Sequence, residues 1–325
     1  MKNVILFLLL ILGTGAFVKA QQTSPTPKGP PTRDQPQGPI VRRQEEMNRR
    51  FETLGLESSS ARRISNSVRA AIVQALNNLY RKPTKAEARL LAVGKEEQKK
   101  YARFLKQSDT GLTKLMADKG CAEYTSVLNV SEECRKFSMP GAGSSFSFRT
   151  GNYRIRRLSD LTFREGAFYS TGILSHAVMV NIGDVPLDEV TLNTRGLKFL
   201  NDFQPAAEFE EAKKIDARLN EGIHDGGFFY SRSLEAQEEA TYALRVIAYR
   251  GSSYRAIQGF VYDELDFDER RDVTVAFRIV GRDDDSVTIL WKILANQKSP
   301  SIKRSNEDRF KTEENKFVAE KTGAN

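Results

Sequence analysis

Residues 271–298 read RDVTVAFRIVGRDDDSVTILWKILANQK. Val273, Val275, Phe277 and Ile279 alternate with their neighbours, and Val287, Ile289, Trp291 and Ile293 do the same further on. Alternation at period two marks strands that bury one face. Between the two runs lies Gly281-Arg-Asp-Asp-Asp-Ser286, a polar turn of hairpin size. The stretch therefore predicts an antiparallel β-hairpin.

The same period extends backwards along the chain. Tyr242, Leu244, Val246 and Ala248 form one alternating run, and Val178, Val180 and Ile182 form another, closed by Gly183-Asp184-Val185-Pro186. Phe146 and Phe148, Tyr153 and Ile155, and Leu161 and Phe163 are shorter runs after Gly141-Ala-Gly143. Only Glu208–Leu219 reads as a helix inside this region. Several short strands with close turns predict an antiparallel sheet folded as a sandwich. Gly166-Ala-Phe-Tyr-Ser170 is echoed by Gly227-Phe-Phe-Tyr-Ser231, which predicts equivalent aromatic strands in two halves of that sandwich.

Before residue 141 the period is helical. Ile64, Val68, Ile72, Ala75, Leu76 and Leu79 share one helix face, with Ser58-Ser59-Ser60 as candidate N-caps and Pro83 as the stop. Thr84-x-x-Glu87 is a capping box opening a second helix that carries Leu90, Leu91, Tyr101, Phe104 and Leu105. Short helices are also expected around Glu45–Leu54 and over Leu112–Ala117.

The first twenty residues have Lys2, an apolar run from Val4 to Leu12, and Val18-Lys19-Ala20 with small residues where a signal peptidase needs them. About nine apolar residues are too few to span a bilayer, so the segment predicts export to the periplasm or medium, with no transmembrane anchor after its removal. Six of the eleven prolines fall in residues 21–40, a composition that predicts an extended spacer. The expected order is a signal peptide (1–20), a Pro-rich spacer (21–41), a basic helical region (42–120), a disulfide-containing connection (121–143), a β-rich domain (144–296) and a polar flexible tail (297–325). The fold class is α+β.

The net charge of +8 hides two opposite parts. Residues 42–120 hold 18 Lys+Arg against 9 Asp+Glu, whereas residues 141–296 hold 19 against 24. Arg62, Arg63 and Arg69 mark the basic helical face, which could meet anionic envelope polymers. Interleaved aromatics and nucleic-acid motifs are missing from it.

Export makes Cys121 and Cys134, the only two cysteines, a structural disulfide pair. Closing so short a loop stabilises by about 3 kcal/mol in the chain-entropy picture. Two cysteines and two histidines cannot build a thiolate or imidazole zinc site. No Gly-x-Ser-x-Gly elbow and no Walker loop occur, so neither a nucleotide nor another cofactor is expected.

Two other constellations could carry chemistry. Gly222-Ile-His224-Asp225-Gly226-Gly227 sets an imidazole beside a carboxylate, with Ser231 close by, and a His oriented by Asp is what a general base needs. Asp263, Asp266 and Asp268, with Asp283-Asp284-Asp285 later, offer oxygen ligands that suit calcium, although the EF-hand spacing fails. The leading expectation is an exported, non-enzymatic binding or interaction protein that contacts anionic envelope material, or a protein, through its basic helices. The alternative is an exported hydrolase using a carboxylate pair or His224 with Asp225 in the β-rich domain.

Overall fold

A computed structural model describes residues 65–118, 139–257 and 260–303. Helix α1 spans Asn66–Leu79, and Ser65 caps it by accepting from the Val68 amide at 3.3 Å. Helix α2, Lys85–Leu90, opens on the expected capping box: the Glu87 amide donates to Thr84 Oγ1 at 3.2 Å, and the Thr84 amide to Glu87 Oε2 at 2.7 Å. The second helix is not continuous. It stops at Leu90, and α3, Lys95–Lys100, starts afresh after Gly94. Leu91 and Val93, both 8% exposed, turn inward at this break, because packing there outweighs helical propensity. Helices α4 (Lys198–Asp202) and α5 (Phe209–Glu221) lie within the β-rich part.

Fourteen strands are described. They are β1 (Thr110–Met116), β2 (Ser145–Ser147), β3 (Asn152–Tyr153), β4 (Leu161–Arg164), β5 (Ala167–Ser170), β6 (Ser175–Gly183) and β7 (Ile223–Asp225). Then follow β8 (Phe228–Ser231), β9 (Ser233–Glu235), β10 (Thr241–Ala248), β11 (Tyr254–Ile257), β12 (Phe260–Asp263), β13 (Arg271–Arg282) and β14 (Ser286–Lys298). Strand β1 corrects the helix expected at Leu112–Ala117. Leu112, Leu115 and Met116 imitate a helical spacing, but the segment pairs antiparallel with β14, Thr113 opposite Ile289, and buries Thr113 and Leu115 at period two.

The β13–β14 hairpin forms as its alternation predicts, with Phe277 opposite Trp291 and Ile279 opposite Ile289. It sits within a seven-stranded antiparallel sheet of order β1-β14-β13-β10-β6-β8-β7. A five-stranded sheet, β3-β2-β4-β5-β9, packs on one face of it, giving the α+β, sandwich-like architecture. The chain crosses between the two sheets four times, and between β8 and β9 a single residue, Arg232, makes the crossing.

Alternation decides what each face of the large sheet buries. Tyr242, Leu244, Val246, Val275, Phe277, Val287, Ile289 and Trp291 point toward the small sheet and meet Phe146, Phe148, Phe163 and Phe168. Ring centroids of Phe168 and Phe277 lie 5.1 Å apart at 86°, an edge-to-face arrangement that adds about 1 kcal/mol beyond area burial. The opposite face carries Val178, Val180, Ile182, Ala243 and Leu290, covered by Leu200 of α4, Leu219 of α5 and Phe104. Helix α1 packs separately, seating Ile72, Leu76 and Tyr80 on Ile155, Leu158, Phe260 and Tyr262.

The echoed pentapeptides have a local cause. Glu165-Gly166 and Gly226-Gly227 both take positive φ (51°, 76° and 58°, 82°), as two-residue type I′ hairpin turns require. Each turn feeds a Phe-Tyr-Ser strand, β5 in the small sheet and β8 in the large one.

Candidate functional site

His224 and Asp225 sit on β7, one residue before that tight turn, and both are exposed. Adjacent strand residues project to opposite faces. His224 lies against the exposed ring of Phe229, centroids 4.9 Å apart, and among the described residues neither His224 nor Asp225 hydrogen-bonds to Ser231. Ser231 is buried, and its Oγ accepts from the Ser233 amide at 3.2 Å.

The other histidine is a buried structural link. His176 Nε2 lies 2.9 Å from the Ala212 carbonyl of α5, and Nδ1 lies 2.9 Å from the Tyr249 hydroxyl. That hydroxyl oxygen also accepts from the Ala206 amide at 2.8 Å. A neutral imidazole that donates from Nε2 and accepts at Nδ1 satisfies every partner. Burial pushes its pKa below the ordinary histidine value, and pushes the Tyr249 phenol up to about 12.

Of the acidic residues singled out as calcium ligands, Asp263 and Asp268 are engaged by other protein groups. Asp263 caps a single 3₁₀ turn, its Oδ1 accepting from the amides of Leu265 (3.0 Å) and Ser253 (2.8 Å). Asp266 is exposed on that turn. Asp268 is a counter-ion: its Oδ2 lies 2.6 Å from both Arg149 and Arg270. Arg149 is fully enclosed, pairs with Asp160 at 2.6 Å, and also donates to the carbonyls of Leu158 and Glu269. No group of three metal-binding side chains occurs among the described residues.

Two further buried carboxylates serve the same purpose. Glu264 receives a bidentate guanidinium from Arg157 (2.7 and 2.9 Å) and the Tyr80 hydroxyl (2.9 Å), which ties α1 to the strands. Burial alone would raise this carboxyl, but Arg157 outweighs it and holds the group below the usual carboxylate range. Asp272 pairs with both arms of Arg245, whose Nη1 also donates to the Leu200 and Phe203 carbonyls at the end of α4.

Arg81 and Lys99 of the helical segment pair with Glu87 and Glu96, but other basic side chains there are in a different state. Lys82, Lys85, Arg89, Lys95, Arg103 and Lys106 are all exposed, and none forms an ion pair among the described residues. Arg69, half-buried on α1, leaves its Nε without a described hydrogen-bond partner. Arg62, Arg63, Cys121 and Cys134 lie outside the described residues.

Sequence reasoning missed a concavity beside the helical segment. A cleft of about 410 Å³ opens between the α2–α3 segment and strands β1, β3 and β14. Leu91, Val93, Leu105 and Leu112 form its sides, and Phe146, Tyr153 and Trp291 its floor. Strand β1 passes directly over the indole at Gly111, where any side chain would collide with the ring. The polar side chains in the lining are already engaged: Trp291 Nε1 donates to Thr113 Oγ1 (2.9 Å), Tyr153 Oη to the Lys114 carbonyl (2.6 Å), and Gln98 Nε2 to the Val93 carbonyl (2.6 Å). Asn152 Nδ2 likewise donates to the Thr150 carbonyl (2.6 Å). No acid, base or charged side chain lines the cleft. A glycine opposite the chain's single tryptophan was the available signal, but their pairing is a matter of sheet register. No protein-family model matches this chain, and comparisons with curated proteins and with solved structures also return no match.

Proposed function

We propose that this chain is an exported binding or interaction protein that contacts anionic envelope material through its basic helical face. One contrast supports the reading. The β-rich part buries Arg149, Arg245 and Arg270 against carboxylates, whereas of the eight exposed cations from Lys82 to Lys106 only Lys99, with Glu96, forms an ion pair among the described residues. Unpaired, mobile cations on one segment create a positive potential that attracts polyanions and weakens as salt screens it. The hydrolytic alternative draws no comparable support, since His224 and Asp225 are exposed on a hairpin with no nucleophile bonded to them.

The test is cosedimentation of the chain with cell-wall material between about 0.05 and about 0.5 M salt. Retention should fall steeply with salt, and the double variant Arg103→Glu, Lys106→Glu should abolish it. Lys214→Glu with Lys298→Glu, an equal charge change at exposed positions of the β-rich part, should leave retention nearly intact. Equal loss in both variants would overturn the assignment to the helical face.

A further inference from the structure

We infer that the cleft over Trp291 binds a small single-chain amphiphile, its apolar body between the leucines and the indole and its anionic head toward the lysines that neighbour the lining on α2 and α3. This deepens the anion-binding reading above and rests on it for the sign of the head group.

The size of the cleft selects a small molecule. About 410 Å³ falls at the lower end of ligand pockets and is too small for a folded partner. The lining selects an apolar body. Leu91, Val93, Leu105 and Leu112 face Phe146 and Trp291, and the polar side chains among them are bonded to the protein itself. A charged head placed inside would lose water without gaining a charged partner, so it must remain at the mouth.

Three lysines neighbour the lining along the chain without themselves lining the cleft. Lys85 precedes the lining residue Ala88 by three positions on α2, and Lys95 precedes the lining residue Gln98 by three on α3, so each lies on the cleft side of its helix. Lys82 adjoins the lining residue Pro83. All three lysines are exposed and without an ion pair among the described residues. The long aliphatic stem of a lysine can extend along an apolar wall while its ammonium stays in water to meet an anion.

Trp291 is the only tryptophan in the chain, so its emission reports the cleft directly. The experiment titrates the full mature chain with dodecanoate below its micellar concentration, and in parallel with a neutral dodecyl glycoside and with inorganic phosphate. Dodecanoate should shift Trp291 emission saturably, the neutral chain should bind about tenfold more weakly, and phosphate should produce no shift. Ala92→Phe fills the cleft from an exposed lining position without disturbing the core, and should abolish the shift. Lys85→Glu with Lys95→Glu should weaken dodecanoate about tenfold and leave the neutral chain unchanged.

The cleft assignment is overturned if dodecanoate leaves the emission unaltered or if Ala92→Phe titrates like the parent. Equal affinity for the neutral chain overturns the anionic head. Cell-wall retention separates the two readings. Ala92→Phe with dodecanoate binding lost and retention intact supports the cleft as a distinct site. Arg103→Glu with Lys106→Glu losing retention while dodecanoate binding persists in Ala92→Phe would remove the cleft and leave the polyanion surface.

Discussion

Gly111 rests against the indole of Trp291: a Cβ at position 111 would approach Nε1 to 2.8 Å and overlap the six-membered ring. Gly111→Val therefore forces the ring or the edge strand to move. Overpacking of this kind costs about 1–3 kcal/mol. Urea unfolding followed by Trp291 emission should show a lower midpoint, together with a native spectrum already shifted before unfolding begins.

Asp268 holds two arginines that have little access to water. Asp268→Asn leaves Arg149 with one carboxylate, and Arg270 with carbonyls alone. Removing one member of a buried charge set costs about 3–5 kcal/mol. Asp284→Asn, at an exposed turn position, should stay within about 0.5 kcal/mol of the parent. Calorimetric unfolding of both variants tests the contrast. Equal melting temperatures would show that the ion-pair network carries no net stability.

His176 should give the protein an acid-sensitive step. Its pKa is lowered in the folded state, chiefly by burial, so the unfolded chain binds a proton more readily. The stabilisation is complete above the ordinary histidine value of about 6.5 and declines as pH falls below it. Asp216, Glu211 and Arg232 also act on the ring, the carboxylates opposing the shift and the guanidinium adding to it. Unfolding free energies measured from pH 7.5 to about 5 should fall in the parent and much less in His176→Gln.

Glu87 works in a lower window. The Arg81 guanidinium, 2.6 Å away, holds its carboxyl down to about 2 against an ordinary value of 4.5. A depressed carboxyl stabilises above its unfolded pKa, and this stabilisation is lost as pH falls from about 4.5 toward 2. Glu87→Gln can keep the capping box through its amide oxygen but removes the charge-assisted bond to Arg81, for a loss of about 2 kcal/mol at neutral pH. The loss should vanish when parent and variant are compared near pH 2.

How far the sequence could be read depended on whether the deciding partner was local. The β13–β14 hairpin was legible because alternation and turn lie in one stretch, and helix α5 was legible from its own period. Strand β1 was not: Leu112, Leu115 and Met116 suit a helix equally well, and only the exposed edge of β14, far away in sequence, selects a strand. Asp263 and Asp268 were conspicuous as acids, but their partners, the Ser253 amide and the guanidinium of Arg149, lie 10 and 119 positions away. A count of carboxylates does not reveal that Asp263 caps a turn while Asp268 neutralises two buried arginines. The cleft was invisible for the same reason, since α2, β1, β3 and β14 meet only after the large sheet has closed.

Arg232 makes the shortest described crossing between the two layers. Its carbonyl accepts from the Ser170 amide of the small sheet at 2.7 Å, its amide donates to the Leu219 carbonyl under the large sheet, and its guanidinium lies 2.5 Å from Asp216. A fold creased at one residue has no slack along that margin. Strands β8 and β9 must therefore come apart together, and a disturbance that loosens either layer at this corner is transmitted mechanically to the other. The other described crossings, from β5 to β6 and from β9 to β10, use four and five residues and so leave the chain more slack than the crossing at Arg232.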